Sequence, residues 1–419
     1  MYRRWGVVGA LIAVVCSLPT VVSALPVHAA AVAPAALRAR ILAAADHPYQ
    51  GYAESDGGLD LPELPQLGAV SDLLSGSTMI RTWYSDPQLW RTDVVTATGE
   101  QDVYQTEVGT LTWNFETGQI TQVLGDPTVR LPRAADLVPP ALAQRLLHTA
   151  AAGDALAALP ARDVARVSAA GLEIRPASAD TTIARVDIWA DPATGVPLEV
   201  VVYARGSASP VITTRFLDVE LTRPADSTVN FVPADNIPIS TAKASDINAL
   251  LDSQARFPLP STLDGLPAAP ALDGYGASVG GYGSGFDTFA VLYLGDRIGD
   301  SALSAAKSAG AAPVTFPNGT GELIRTPLLS VLLVRSDQFD RIFLLVGFTS
   351  SDQLTKAGGD LLTDVDTRIR RFCGQRCGPP PAPTPAKPLP TPTATAAPTP
   401  TQSAPGQTVI ALPAPGGTP

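Results

Sequence analysis

The feature that most constrains the fold is a run of short segments between residues 79 and 124 in which apolar and polar residues alternate. Alternation with a period of two is typical of strands that bury one face. The connectors between the segments contain Pro87, Gly109 and Gly118, and glycine can take the positive φ angles of tight turns. The pattern predicts an antiparallel meander of the segments Met79–Tyr84, Leu89–Val95, Asp102–Val108, Thr110–Phe115 and Gln119–Leu124.

Helical spacing flanks this meander on both sides. Leu37, Ile41 and Leu42 predict a helix that Pro48 terminates, and Pro139–Pro140 opens a second helix, since proline is tolerated in a first turn. The second helix is predicted to bury Leu142, Leu146, Leu147, Ala150 and Ala151. Further strands are predicted over residues 165–168, 172–175, 182–190, 196–204 and 211–221. The fold class that follows is α+β, with one large antiparallel sheet covered by helices.

A second, smaller α+β unit is predicted after a stretch rich in proline and glycine. It begins with a strand over Phe286–Leu294 and a helix from Asp300, its expected N-cap, to Ala309. Strands over 322–325, 328–335 and 341–348 follow. The residues Ser350 to Gln353 form a capping box for a last helix with Leu354, Ala357 and Leu361 on its buried face. Of the 40 prolines, 14 lie between Pro379 and Pro419, which predicts a disordered, proline-rich tail.

The N-terminus has the pattern of a secretory signal peptide. Arg3 and Arg4 precede an apolar stretch, and small residues at Ala29, Ala31 and Ala33 offer exits of the A-x-A kind. A retained membrane anchor is the alternative, whereas lipidation at Cys16 is disfavoured because the bulky Val15 precedes it. We therefore expect an exported, extracytoplasmic protein, secreted, periplasmic or in the cell envelope, whose mature chain does not span a membrane.

Outside the cytoplasm disulfides persist, and Cys373 and Cys377 are the cysteines that remain after signal cleavage. Their C-x3-C spacing favours a local disulfide over a redox pair, which is more often C-x-x-C on a thioredoxin-like unit. With three histidines in the chain, we expect no metal site and no cofactor. A net charge of −10 without a basic stripe argues against a nucleic-acid partner.

Catalytic motifs are weak. Gly276–Gly280 matches the G-x-S-x-G nucleophile elbow, but no histidine follows His148, so the chain order of a hydrolase triad fails. A flexible glycine loop is the simpler interpretation. Pairs of carboxylates stay open as an alternative, because the sequence gives no distances between them.

Four tryptophans, Trp83, Trp90, Trp113 and Trp189, lie on predicted strands. One interpretation is that they are ordinary core or strand-face residues. The other is that a curved sheet turns them toward an apolar cavity that holds a ligand such as an acyl chain. Leu111 and Val200 are the aliphatic residues that we expect to line this cavity together with the tryptophans. The alternation shows which residues share a face, but not which face is concave.

Several short motifs, in this order, resemble the LolA family of periplasmic lipoprotein carriers and the related sigma-factor regulators of the RseB/MucB type. They are Ala43–Gly51, with its Tyr-x-Gly, Asp86–Arg91, Leu111–Phe115, Val229–Pro233, Phe286–Leu292 and Leu344–Gly347. The likeness covers roughly residues 35 to 365. One difference is Asp86, since the carriers have a basic residue before the proline.

The resemblance implies a curved antiparallel half-barrel covered by helices, followed by the smaller domain. The expected organisation is a signal peptide over 1–33, a half-barrel over 34–242, a linker and glycine-rich loop over 243–285, a small domain over 286–372, and the cysteine pair and tail over 373–419.

The function that follows is non-enzymatic: a sensor or carrier that binds a lipid acyl chain or a lipidated protein. For the sensor branch the resemblance implies a membrane anti-sigma factor as a further partner. A cell-envelope structural or adhesion protein anchored through the tail is the alternative, and a secreted hydrolase is a third hypothesis.

Overall fold

The computed structural model describes residues 30–59, 68–95, 99–126, 130–232, 237–244, 259–269 and 279–373. All of them belong to one compact unit of the chain, residues 1–374. The signal segment up to residue 29, Gly276 and Ser278 of the glycine loop, Cys377 and the proline-rich tail lie outside the described residues. The expectations about export, the disulfide and the tail therefore stay predictions.

The first sheet has twelve strands, and they run in an open order. The strands are β1 (Tyr49–Gly57), β2 (Ser77–Asp86), β3 (Leu89–Val95), β4 (Glu100–Thr106), β5 (Gly109–Asn114), β6 (Gln119–Leu124), β7 (Ala155–Val164), β8 (Val167–Arg175), β9 (Ile183–Ala190), β10 (Pro197–Ala204), β11 (Ile212–Glu220) and β12 (Ile239–Lys243). Their order is β12-β6-β5-β4-β3-β2-β1-β11-β10-β9-β8-β7, and all neighbours are antiparallel except β12 and β6. The predicted fold class is confirmed: the sheet is large, mostly antiparallel and not closed into a barrel.

Helices cover one face of this sheet, which we call the helix-covered face. The helices of this part are α1 (Pro34–Ala43), α2 (Gly68–Ser75), α3 (Pro139–Thr149) and the short α4 (Asp226–Val229). Leu37 and Ile41 of α1 and Leu147 of α3 are buried in one cluster with Ile188 and Val200 of the sheet. We call the opposite side of the sheet the outer face. The short helix α4 contacts strands β2 and β3.

One strand was placed wrongly by the sequence analysis. Residues 165–168 were expected to be a strand, but Ala165 and Arg166 have positive φ angles of 50° and 67° and form the turn between β7 and β8. The strand that precedes them, β7, was missed. Its ten residues include four alanines and a proline, which have low strand propensity, so pairing with β8 determines its conformation.

The second sheet has six strands in the order β15-β16-β20-β19-β18-β17. They are β15 (Val279–Tyr282), β16 (Phe289–Leu294), β17 (Ala312–Phe316), β18 (Gly319–Arg325), β19 (Ser330–Ser336) and β20 (Ile342–Gly347), preceded by the hairpin of β13 (Thr262–Leu263) and β14 (Leu266–Pro267). The helices are α5 (Asp296–Ser308) and α6 (Ser351–Cys373). Strand β17 was not predicted.

Two expectations about this unit need correction. The stretch 243–285 is not only a linker, because it contains β13, β14 and β15, and Tyr282 is buried with its hydroxyl donating to the Pro260 carbonyl at 2.5 Å. Helix α5 begins at Asp296, one turn before the expected N-cap Asp300, whose carboxylate instead pairs with Arg335.

The last helix follows its prediction. The backbone N–H of Gln353 donates to Ser350 Oγ at 3.2 Å, as in a capping box, and Leu354, Ala357 and Leu361 are fully buried. Within the described residues, no helix has both the length and the apolar character needed to cross a membrane.

Candidate ligand-binding site

A cavity of about 480 Å³ lies on the helix-covered face, between strands β2–β4 and the segment that leads into α3. Its strand wall includes Tyr84, Trp90 and Gln105, and its cover includes Arg133 and Val138. The strand residues share this face because they are register partners or lie two residues apart: Tyr84 is opposite Trp90, and Trp90 is opposite Gln105. The cavity is therefore built where three meander strands meet an irregular segment.

Aromatic rings form one wall of the cavity. The rings of Tyr49 and Tyr84 stack with centroids 5.0 Å apart, and the Tyr84 hydroxyl donates to the Ala45 carbonyl at 2.7 Å. Burial raises the pKa of both tyrosines, so their hydroxyls stay neutral at physiological pH. Together with Trp90, these rings give a ligand an apolar surface with fixed geometry.

The cover is basic and is organised around one carboxylate. Arg130 donates to both oxygens of Asp136 at 2.6 and 2.7 Å, and Arg145 donates to Oδ1 at 2.9 Å. Burial by itself raises the pKa of Asp136, but the hydrogen bond from Arg130 and the charges of both arginines outweigh it, so the pKa is lowered. Asp136 is therefore ionised and fixed in place.

A third arginine of the cover, Arg133, has no such carboxylate partner in the described part of the chain. Its guanidinium lies over the Trp90 ring, 5.3 Å from the centroid, and Nη1 donates to Thr110 Oγ1 at 3.3 Å. Burial and the charge of the neighbouring Arg130 lower its pKa to about 10. The cation is still charged near pH 7, and it faces the cavity.

Of the six residues predicted to line one cavity, the structure places only Trp90 in this one. Val200 belongs to the same face, because it lies in the register row of Ser55 and Thr214, but it is fully buried beneath the helices. It is a core residue.

The other four side chains belong to the outer face. Trp83 is opposite Arg91, which is opposite Tyr104, which in turn is opposite Leu111, so these residues share one side of the sheet. Trp113 lies on that same side, two residues along β5 from Leu111. It stacks on Phe115 with ring centroids 4.1 Å apart.

Trp189 is the fourth outer-face residue. It is opposite Glu199, in the row of Arg215 and Glu54, and its indole N–H donates to the Pro160 carbonyl at 3.0 Å. Alternation along each strand sends these four side chains away from the residues that face the cavity.

Sequence reasoning missed Arg130, Arg133 and Asp136. They lie between the last meander strand and α3, where the chain has no periodic pattern. The available signal was composition: two arginines and an aspartate within seven residues, directly before the Pro139–Pro140 helix start.

The outer face carries a second group of interest, the pair Asp93 and Asp102, which are directly opposite each other on β3 and β4. Arg91 bridges them, with Nε 2.6 Å from Asp93 Oδ1 and Nη2 2.9 Å from Asp102 Oδ2, and its guanidinium also lies over the rings of Trp83 and Tyr104. Oxygens of Asp93, Glu100 and Asp102 come within 4.8 Å of one another. Arg91 compensates part of this negative charge.

Comparisons with known proteins give similarity in structure only. No protein-family model matches the sequence. No curated protein sequence matches it either. The solved complex of MucA and MucB from Pseudomonas aeruginosa is 14% identical, over 77% of this chain and 95% of that chain, with a TM-score of 0.43.

Two further structures are similar over about half of the chain. A LolA superfamily protein from Nitrosomonas europaea is 11% identical over 48% of this chain and 99% of that chain, with a TM-score of 0.23. A putative outer membrane lipoprotein-sorting protein domain from Vibrio parahaemolyticus is 10% identical over 44% of this chain and 90% of that chain, with a TM-score of 0.22. Both kinds of protein that the sequence motifs resemble are thus among the structures to which this chain is similar.

Proposed function

We propose that the protein is an exported, non-catalytic binding protein that holds an amphiphilic, lipid-like ligand in the cavity on the helix-covered face. The observation that carries the proposal is the composition of this cavity, with the aromatic wall of Tyr49, Tyr84 and Trp90 opposite a basic cover. Its volume of about 480 Å³ lies within the range of roughly 300–1,000 Å³ that small-molecule sites have.

The energetics of such a ligand are sufficient for binding. Each methylene that leaves water contributes about 0.8 kcal/mol, so ten methylenes contribute on the order of 8 kcal/mol. The entropy lost on association must be subtracted from this figure. Polar contacts with the cover then decide which head group is bound.

The family resemblance of the sequence motifs suggests what the ligand is: an acyl chain or a lipidated protein. It also suggests a membrane anti-sigma factor as a protein partner if the chain is a sensor. The basic residue of the carriers is replaced by Asp86, whose carboxylate accepts the Gln88 backbone N–H at 2.9 Å in the β2–β3 turn. This difference favours the sensor over a copy of the carriers' cargo transfer.

Titration with a fluorescent fatty acid tests the proposal, with two tryptophan variants that differ in face. Trp90→Leu removes an aromatic side chain from the cavity, and we expect its affinity to fall roughly tenfold or more, as for a buried aromatic anchor. Trp113→Leu is the matched control on the outer face and should keep wild-type affinity. Equal affinities for both variants, or no binding by the wild type, would contradict the proposal.

A further inference from the structure

The charges around Asp136 are not balanced. Arg130, Arg133 and Arg145 converge on this carboxylate, and Asp126 is the other acidic residue of the cavity lining among the described residues. Among the described residues, no carboxylate oxygen of Asp126 forms an ion pair, at 4 Å or less, with a nitrogen of these three arginines. The cover therefore holds more positive than negative charge.

Asp136 has no capacity left for the guanidinium of Arg133. Its Oδ1 accepts from Arg130 Nη2 and Arg145 Nη2, and its Oδ2 accepts from Arg130 Nη1 and, at 3.0 Å, from the backbone N–H of Arg133. A carboxylate offers about four lone-pair positions, and four donors already occupy them. A further acceptor for the side chain of Arg133 has to come from elsewhere.

The charge of Arg133 is only partly compensated, because Asp136 and Asp126 act on it without accepting a hydrogen bond from its guanidinium among the described residues. Thr110, which accepts from Nη1, is neutral, and its hydroxyl in turn donates to Gln105 Oε1 at 2.9 Å. The Nε–H of Arg133 is buried and has no hydrogen-bond partner among the described residues. A half-buried guanidinium whose buried Nε–H is unused is costly unless an anion accepts from it.

We propose that the ligand of this cavity is an anionic amphiphile and that Arg133 binds its oxyanion head group, a carboxylate or a phosphate. This inference rests on the proposed function and adds the chemical class of the ligand. The planar guanidinium matches two oxygens of such a group, and the Trp90 ring beneath it keeps its plane oriented. Tyr49, Tyr84 and Val138 line the same cavity and contact the apolar part.

The test compares three ligands that share one chain: dodecanoate, dodecyl phosphate and dodecan-1-ol, titrated calorimetrically into the full-length protein below their micelle concentrations. Charge-assisted hydrogen bonds contribute about 1.5–3 kcal/mol, so at least one of the two anions should bind roughly 10- to 100-fold more tightly than the alcohol. Which anion is preferred identifies the head group as carboxylate or phosphate.

Three variants separate a direct contact from a general effect of charge. Arg133→Met should bind the anions no more tightly than the alcohol, while its alcohol affinity stays at the wild-type level. Arg145→Met removes the same charge from a residue already paired with Asp136, and should keep most of the preference. Arg133→Lys retains the charge but lacks the planar, bidentate guanidinium group, so it should keep a reduced preference for the anions over the alcohol. This variant replaces Arg133→Met in the test if the methionine variant does not fold.

The outcomes of this test are distinct. Equal affinity of the wild type for anion and alcohol, or an unchanged preference in Arg133→Met, overturns the inference and leaves the proposed function in place. If none of the three ligands binds to the wild type, the proposed function fails, and the inference fails with it.

Discussion

At the scale of single residues, the surroundings of Asp102 disfavour the negatively charged form of its carboxyl group. Asp102 is 1% exposed, and it lies directly opposite Asp93 on the neighbouring strand. Its Oδ1 has no hydrogen-bond partner among the described residues. Burial and, next, the charge of Asp93 raise its pKa to about 7, although Arg91 acts in the opposite direction. The folded protein therefore keeps a proton on this pair at a pH where the unfolded chain has lost it.

The sign of the resulting pH dependence follows from linkage. Between about pH 4 and pH 7 the folded state binds more protons at Asp102 than the unfolded state, so the contribution of this group to the free energy of unfolding falls as the pH rises. After allowance for solvent screening we expect a loss of roughly 1–2 kcal/mol across this window. Above about pH 8, where the folded state has also lost this proton, the contribution no longer changes.

Asp102→Asn should remove this slope. Urea denaturation at half-unit steps from pH 4.5 to 8 should show a flatter profile for the variant, with its largest gain relative to wild type at pH 8. Glu107→Gln, on an exposed turn, is the control for the loss of one negative charge and should follow the wild-type slope. Parallel profiles for wild type and Asp102→Asn would show that the proton is not held there.

At the scale of elements, the β9–β10 turn connects the sheet to helix α1. The Asp191 carboxylate accepts the N–H and hydroxyl of Thr194, and the Arg40 side chain donates to the Pro192 carbonyl at 2.6 Å. Gly195 has a φ of +81°, and a Cβ there would lie 2.5 Å from the Arg40 carbonyl oxygen. The turn therefore needs glycine for its conformation and for the close approach of α1.

Gly195→Ala should lower the free energy of unfolding by more than the strain of the left-handed conformation alone. We expect a loss of roughly 2–4 kcal/mol in the free energy of unfolding, from the strain of the positive φ and the overlap with α1 together. Gly206→Ala is the matched control, because Gly206 has a φ of +77° and no atom within 4 Å of the new Cβ. Its loss should be about 1–2 kcal/mol, from strain only. Equal losses in thermal or urea unfolding would show that α1 does not pack closely on the turn.

The sequence predicted the elements that have a clear period and missed those without one. The meander, strands β9 and β10, and the buried face of α6 all follow from alternation and helical spacing. Strand β7 was missed because tertiary pairing overrides its weak propensity.

The site was predicted less well for a related physical reason. Alternation shows that Leu111 and Trp113 share one face of β5, but which face the helices cover depends on packing between distant parts of the chain. The Arg130–Asp136 contacts depend on a non-periodic segment, so no local pattern signals them.

At the scale of the whole molecule, the segment before β9 joins the two sheets. Thr181 Oγ1 is 2.8 Å from the Phe286 carbonyl and 2.9 Å from the Phe348 carbonyl, and Thr181 forms an antiparallel bridge with Thr349. Phe286 and Leu328, from the second part of the chain, are buried in the core beneath the helix-covered face. The two sheets therefore share core contacts beneath the helices.

Native mass spectrometry tests most directly whether the cavity holds an anionic amphiphile. The wild-type protein, purified without detergent from the cell that produces it, should carry an added mass that is released as an anionic lipid. Trp113→Leu should carry the same mass, and Arg133→Met should carry little or none of it. A bare wild-type mass that stays bare after incubation with dodecanoate or dodecyl phosphate would contradict the account.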